Sequence, residues 1–328
     1  MSIFMTRFYC RIRVRQHQFA PYPSFAKLVI LIAEDPVIDL TELLAGKRGL
    51  LSDMDGVIYH GNQLLPGVAE FMKWIKESGM EFLFLTNSSE RTPRELREKL
   101  LRLGLDVSVE NFYTSALATA AFLKSQDPGG TAYVIGGNGL VNALYEAGFA
   151  MNEVNPDYVV VGETHSYTYD TITQAINLVR KGARLIGTNP DLTGPSEHGV
   201  VPATGAIISP IELATGRKAY FVGKPNPLMM RQALKRLGCR REESVIVGDR
   251  MDTDIIAGIE SEIDTILVLS GVTALEDLPR FPYQPHFVVN GVGQIPKGET
   301  VREIPKMPTR VDPGPLGTES TDHGRVQS

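Results

Sequence analysis

Asp53-Met54-Asp55-Gly56-Val57 follows the short apolar run Gly49-Leu50-Leu51, and the reading of this stretch decides the fold. Two carboxylates two residues apart at a strand's exit can converge on one metal ion and one phosphoryl group. The first is placed to attack phosphorus and the second to manage protons. Gly56 lets the chain turn sharply after them. Alone, the pattern is equally a fragment of a calcium loop or an acidic turn, so its meaning depends on what lies downstream.

Residues 81–85 read as a buried strand that ends in Thr86-Asn87-Ser88-Ser89. A hydroxyl and successive main-chain N–H groups at such an end form an oxyanion cradle, and in open α/β sheets ligands bind at that edge. An ordinary polar turn is the plain alternative. Next, Gly223-Lys224-Pro225 holds a lysine on constrained backbone before a helix expected over 227–237. A lysine there is a point charge suited to phosphate oxygens, or simply a solvated loop residue. Last, Ser244-Val245-Ile246-Val247-Gly248 delivers Asp249, followed by Arg250, Asp252, Thr253 and Asp254. Oxygen ligands from Asp53, Asp249 and the main-chain carbonyl of Asp55 suit octahedral Mg2+. Capping of a helix at 253–259 explains one of these acids but not the whole group.

The ordered set Asp53-x-Asp55-Gly56-Val57, Thr86-Asn87, Gly223-Lys224-Pro225 and Gly248-Asp249 with Asp254 resembles the haloacid dehalogenase superfamily. Within it the chain is similar to the NagD-like, or p-nitrophenylphosphatase-like, branch (IIA). Gly162-Glu163-Thr164, Thr188-Asn189-Pro190-Asp191, Pro202-Ala203-Thr204-Gly205 and the stretch 265–272 carry the narrower likeness, which spans roughly residues 48 to 296. It implies a Rossmann-like parallel α/β core with an inserted α/β cap of the C2 type. The expected division is an N-terminal extension over 1–47, core over 48–129, cap over 130–217, core again over 218–296 and a disordered tail over 297–328.

The resemblance also implies roles. Asp53 is the expected nucleophile and Asp55 the acid and base, with Mg2+ on Asp53, Asp249 and the Asp55 carbonyl. Lys224, the Thr86 hydroxyl and the Asn87 amide would hold the remaining phosphoryl oxygens, while Asp254 orients Lys224 or a metal-bound water. Arg250, Asp252 and Thr253, with Asn189 and Asp191 on the cap loops, are the expected leaving-group contacts. His165 and His198 are weaker candidates, since surface or turn histidines are common. The branch implies ribonucleoside 5′-monophosphates such as UMP as substrates. Close NagD sequences commonly carry a basic residue where this chain has Asp252, which keeps small sugar phosphates and phosphoglycolate open. Asp55 favours a phosphatase or phosphomutase over a dehalogenase. A non-catalytic sensor of a phosphorylated metabolite is the reading of another class, and it needs neither a nucleophile nor an acid.

The rest of the chain sets bounds. A length of 328 residues suggests about two domains. A net charge of −5 argues against a nucleic-acid polymer as partner, which needs a basic face. No apolar run approaches bilayer length, and Cys10 and Cys239 lack metal spacing, so a reducing cytoplasmic setting is expected. Arg7, Arg11, Arg13, Arg15 and Lys27 with no acid before residue 34 read as a solvated tail, a misplaced start or a transit segment. Strands expected at 132–135, 158–161 and 184–186 alternate with helices at 140–147 and 169–180, which gives the insertion its own α/β fold. Gly136-Gly137-Asn138-Gly139 fails the dinucleotide fingerprint at Asn142 and reads as a strand-to-helix turn. Oligomeric state is not encoded in any feature.

Overall fold

Side-chain alternation along the strands sets how the first sheet sits. The computed structural model describes residues 39–196 and 199–301; the expectations for residues 1–33, for His198 and for the tail after 301 lie outside the described residues. Leu50, Phe84, Val245 and Val247 turn to one face, against Phe71, Met72 and Ile75 of the helix Val68–Ser78 and Leu96 and Leu100 of Pro93–Arg102. Their neighbours Leu51, Leu83, Leu85 and Ile246 turn to the other, against Met229, Met230 and Ala233 of Pro227–Leu237. Burial of each such side chain contributes about 1.5–3 kcal/mol. With both faces covered, the strand Gly49–Ser52 is buried throughout, as parallel sheets require.

This sheet has six strands, in the order Phe287–Val289, Asp264–Val268, Ser244–Gly248, Gly49–Ser52, Glu81–Thr86, Phe112–Thr114, all paired parallel. The first strand in sequence therefore lies between the second and a strand almost 200 residues later. Such an order reverses the crossover direction beside Gly49–Ser52 and opens a crevice at the strands' C-terminal ends. Ser52 pairs with Val247 on one side and Phe84 on the other, so the residues after all three strands emerge at one level.

A second parallel sheet has five strands, in the order Tyr220–Phe221, Arg184–Gly187, Tyr158–Val161, Thr131–Ile135, Ala150–Met151. The helices Tyr169–Lys181 and Thr204–Thr215 cover one face through Leu178, Val179, Ile207, Ile208 and Ile211. On the other, Asn138–Glu146 packs on Ser115–Gln126, a helix rich in small residues that is wedged between the two sheets. An antiparallel ribbon, Thr193–Ser196 with Gly199–Pro202, extends from this unit.

Several boundaries move. Tyr220–Phe221 pairs with Arg184–Gly187, so residues assigned to the returning core complete the second sheet. The expected extension ends in a helix, Leu40–Ala45, whose Leu40 and Leu44 are buried in the core. Order persists past 296: the Val301 N–H donates to the Val288 carbonyl at 2.8 Å. The helix expected at 253–259 begins as a wider π turn, Met251–Ile255, before Ile256–Glu260. Thr92 and Glu95 form the capping box that their spacing suggests, and Gly136 and Gly137 make the strand-to-helix turn. Among the described residues, no helix is long and apolar enough to cross a membrane.

Candidate active site

The three central strands deliver Asp53, Asn87 and Asp249 to one end of the first sheet, and the loop after Phe221 adds Lys224 from above. The Asp53 N–H still donates to the Val247 carbonyl (2.8 Å), which pins its backbone to the sheet. Lys224, 2 % exposed, directs its ammonium to Asp53 Oδ1 at 2.6 Å, Asp254 Oδ1 at 2.7 Å and the Leu85 carbonyl at 3.4 Å. Asp254 has no exposed surface; its Oδ2 accepts from the Arg250 N–H at 3.1 Å. Both its oxygens are thus engaged, and it holds the lysine toward Asp53.

Asp249 completes the cluster. Its Oδ2 accepts from the Val272 N–H at 2.7 Å, whereas its Oδ1 is buried with no hydrogen-bond partner. Carboxylate oxygens of Asp53, Asp249 and Asp254 lie within 4.8 Å of one another. Burial pushes the Asp53 carboxyl up to about 7 even though Lys224 pulls it down, and burial with Asp53 alongside pushes Asp249 up as well. Burial would lower Lys224, but Asp254 and Asp53 outweigh it and raise the ammonium above its ordinary value. Three carboxylates against one ammonium leave a buried negative excess, and an orphaned buried carboxylate oxygen is costly unless a cation takes it. The donor set, all oxygen, fits a hard divalent cation.

Asp55 lies two residues on, with its side chain 39 % exposed and 3.8 Å from His60 Nδ1. Partial burial raises its carboxyl, moderated by the charges of Lys99 and His60. Gly56 follows at φ +78°, its carbonyl accepting from the Ser270 hydroxyl at 2.8 Å.

Other expected contacts are redistributed. Thr86 Oγ1 accepts from the Ser88 N–H at 3.1 Å and shapes the cradle loop. The Asn87 carboxamide is taken up internally: Oδ1 accepts from the Lys224 N–H (2.8 Å), and Nδ2 donates to the Lys224 carbonyl and Asp191 Oδ2 (2.9 Å each). Asn189 has no exposed surface; its Nδ2 donates to the Asn87 carbonyl (2.7 Å) and Glu163 Oε1 (2.8 Å). Both side chains join the two sheets' loops: the carboxamide of Asn87, a residue expected to hold a phosphoryl oxygen, and that of Asn189, expected at the leaving group, are both spent inside the protein. Asp191 is partly buried, its carboxyl raised by burial despite the Asn87 bond. Arg250 grips Asp252 with two bonds of 3.0 and 2.9 Å, and Asp252 is exposed. Thr253 is buried at 4 % exposure, so of this trio only Arg250 and Asp252 reach solvent. His165 pairs with Glu90 at 3.3 Å on the surface.

Sequence reasoning passed over two groups that support the site. Val272 donates to Asp249 through its main chain, which no side-chain pattern announces. Glu163, noted only as part of a likeness, accepts from the Ser89 N–H and hydroxyl at 2.6 and 2.7 Å. Burial raises its carboxyl, offset by those bonds.

Comparison with known proteins accords with this geometry. The family model described as haloacid dehalogenase-like hydrolase matches residues 50–150, and a related HAD-hydrolase-like model matches 221–295. A dihydroxyacetone phosphatase of Corynebacterium glutamicum is 47 % identical over 245 residues, covering 75 % of this chain and 89 % of the relative. The ribonucleotide monophosphatase NagD of Escherichia coli is 44 % identical over 248 residues, 76 % of this chain and 98 % of its own. Its solved structure superposes with a TM-score of 0.72. The glycerol phosphate phosphatase of Mycobacterium tuberculosis, solved in complex with magnesium, is 28 % identical with a TM-score of 0.73 and covers 77 % of each chain. Identity of this extent over nearly the whole of two phosphatases, with the acids and the lysine assembled at one sheet edge, makes this chain a member of the NagD-like subfamily of haloacid dehalogenase-like hydrolases, and a phosphatase.

Proposed function

We propose that the protein hydrolyses phosphomonoesters of small metabolites through a covalent aspartyl-phosphate on Asp53, with Mg2+ as cofactor. The observation that carries this reading is Asp53, tied to a buried Lys224–Asp254 pair, beside Asp249 with its unpartnered Oδ1. An Asp53 oxygen attacks phosphorus, and the bond to the ester oxygen breaks. The departing oxygen takes the proton of Asp55, whose carboxyl burial keeps above its ordinary value. Water then attacks phosphorus and gives its proton to Asp55; the Asp53–phosphorus bond breaks and inorganic phosphate leaves. Lys224, the Thr86 hydroxyl and the main-chain N–H of Asn87 orient the phosphoryl oxygens. Asp53, Asp249 and the Asp55 carbonyl are the groups that would hold Mg2+, which supplies charge neutralisation for the transferring group.

For the leaving group we infer ribonucleoside 5′-monophosphates such as UMP, supported by the likeness to the E. coli ribonucleotide monophosphatase. A second reading, small sugar phosphates such as dihydroxyacetone phosphate, has its own support. Asp252 occupies the Arg250 guanidinium with two bonds, which leaves it less able to bind a large polar group. The C. glutamicum relative acts, by its name, on a triose phosphate. The test is phosphate release from nucleotides, sugar phosphates and phosphoglycolate, with Mg2+ and with chelator, for the natural protein and Asp53→Asn. Mg2+-dependent preference for UMP, lost in the variant, is the expected result. Preference for triose phosphates replaces the substrate and keeps the chemistry; turnover by Asp53→Asn removes the covalent step.

A further inference from the structure

Between the two sheets runs a continuous chain of hydrogen bonds anchored on a carboxylate that takes no part in the proposed chemistry. Glu163 follows the strand Tyr158–Val161 of the second sheet, and Ser89 ends the cradle loop after Glu81–Thr86 of the first. Glu163 Oε2 accepts from the Ser89 N–H (2.6 Å) and hydroxyl (2.7 Å), and the Glu163 N–H donates back to the Ser89 hydroxyl at 3.1 Å. Oε1 accepts from Asn189 Nδ2 at 2.8 Å, and the same amide nitrogen lies 2.7 Å from the Asn87 carbonyl. From Asn87 the chain continues to both main-chain polar groups of Lys224, and from the Lys224 ammonium to Asp53.

Three properties set this carboxylate apart from an ordinary buried acid. It faces donors only: among the described residues its bonded partners are N–H and O–H groups, and no cation pairs with it. It grips the cradle loop at one end and, through one asparagine, the lysine loop at the other. Ser89 and Asn189 have no exposed surface, so water cannot replace either contact without opening the junction.

We propose that Glu163 is a positioning residue for phosphoryl transfer: it fixes the 86–89 cradle and, through Asn189 and Asn87, the Lys224 loop, and so transmits the orientation of the second domain to the phosphoryl centre. This rests on the reading that the cradle and Lys224 hold the phosphoryl group. The amide of Glu163→Gln presents two donors where the carboxylate presents only acceptors. If its oxygen stays with Ser89, its NH2 meets the Asn189 NH2 and releases the Asn87 carbonyl. The lost bonds are made within the protein and none is made to a leaving group, so every ester suffers alike.

The experiment compares Glu163→Gln with the natural protein on p-nitrophenyl phosphate and UMP, with orthovanadate and inorganic phosphate as inhibitors. A loss of about 10- to 100-fold in kcat, similar for both esters and larger than any change in KM, is the expected result. Vanadate, whose geometry imitates the transferring phosphoryl group, weakens as an inhibitor in parallel; inorganic phosphate does not. A merely structural role lowers thermal stability and leaves kcat per folded molecule and vanadate inhibition unchanged, which overturns the proposal. So does a loss confined to one leaving group. Ser89→Ala, which keeps the main-chain bond and drops only the hydroxyl, gives the same pattern at smaller amplitude if Glu163→Gln does not fold; unchanged kcat and vanadate inhibition in Ser89→Ala then overturns it. Asp53→Asn separates the two levels. If it is inactive while Glu163→Gln matches the natural protein, this inference alone falls; if it turns over, the reading beneath it falls first.

Discussion

Lys224 directs its ammonium to Asp53 at 2.6 Å, to Asp254 at 2.7 Å and, more weakly, to the Leu85 carbonyl at 3.4 Å, the contact that a phosphoryl oxygen would take over. A buried charge so paired is stable only with its partners present, since removing one leaves the others uncompensated. The carboxyl that stands apart is Asp55, which is more exposed and faces His60 and Lys99 rather than the buried lysine. That separation gives the two acids different partners: burial raises both carboxyls, and only at Asp53 is this opposed by a direct bond to Lys224. Replacing Asp55 by Asn is expected to cost about 10²–10⁴-fold on alkyl esters, the usual worth of general acid catalysis. On p-nitrophenyl phosphate, whose leaving group departs without a proton, the first step loses far less. Single-turnover phosphorylation rates on both esters make the comparison; equal losses would remove the assigned role.

At the scale of elements, function depends on how the chain leaves each central strand. Gly56 turns with φ +78°, and a Cβ there would sit 2.5 Å from Asp249 Oδ2. Gly79, which ends the helix Val68–Ser78, has a similar φ of +70° but nothing within 4 Å of its Cβ position. The pair separates backbone strain from site geometry. Each change to Ala costs about 1–2 kcal/mol of strain for a left-handed residue, read by urea unfolding. Only Gly56→Ala also displaces Asp249, so only it loses turnover and needs more Mg2+ for half-maximal rate. Equal kinetics in the two variants would show that Asp249 tolerates the intrusion.

Across the whole molecule, the buried acids link stability to pH and to cation. Asp53 rises from its ordinary 3.8 to about 7 on folding, so the folded chain binds the proton more tightly than the unfolded one. Its contribution is then fully present below about 3.8 and is lost as pH rises toward and through 7. In chelator, this group makes the protein less stable at pH 7.5 than at pH 5.5, and Asp249, shifted the same way, adds to the trend. Added Mg2+ favours the ionised acids and raises the melting temperature more at pH 7.5 than at pH 5.5. Asp53→Asn flattens the metal-free slope. Calorimetry across this range with and without Mg2+ checks both statements, and a metal-free slope of opposite sign contradicts them.

Local periodicity and end signals made several elements legible: the strand Tyr158–Val161 and the helix Pro227–Leu237 lie on their expected bounds. The helix Ser115–Gln126 was not legible, because its small side chains are packed between two sheets and form no single apolar face for a period to mark. The ribbon Thr193–Ser196 with Gly199–Pro202 exposes its valines, so burial left no alternation to read. The family and the acids and lysine at strand ends follow from the sequence alone, since residue type, spacing and chain order carry them. The meeting of Asp53 with Lys224, 171 residues on, is a product of strand order in the sheet. The turning inward of Asn87 and Asn189 and the placing of Glu163 on Ser89 were also decided by tertiary structure alone. A side chain's hydrogen-bond partners are whatever the packed layers bring within 3 Å, and no local pattern records which ones those are.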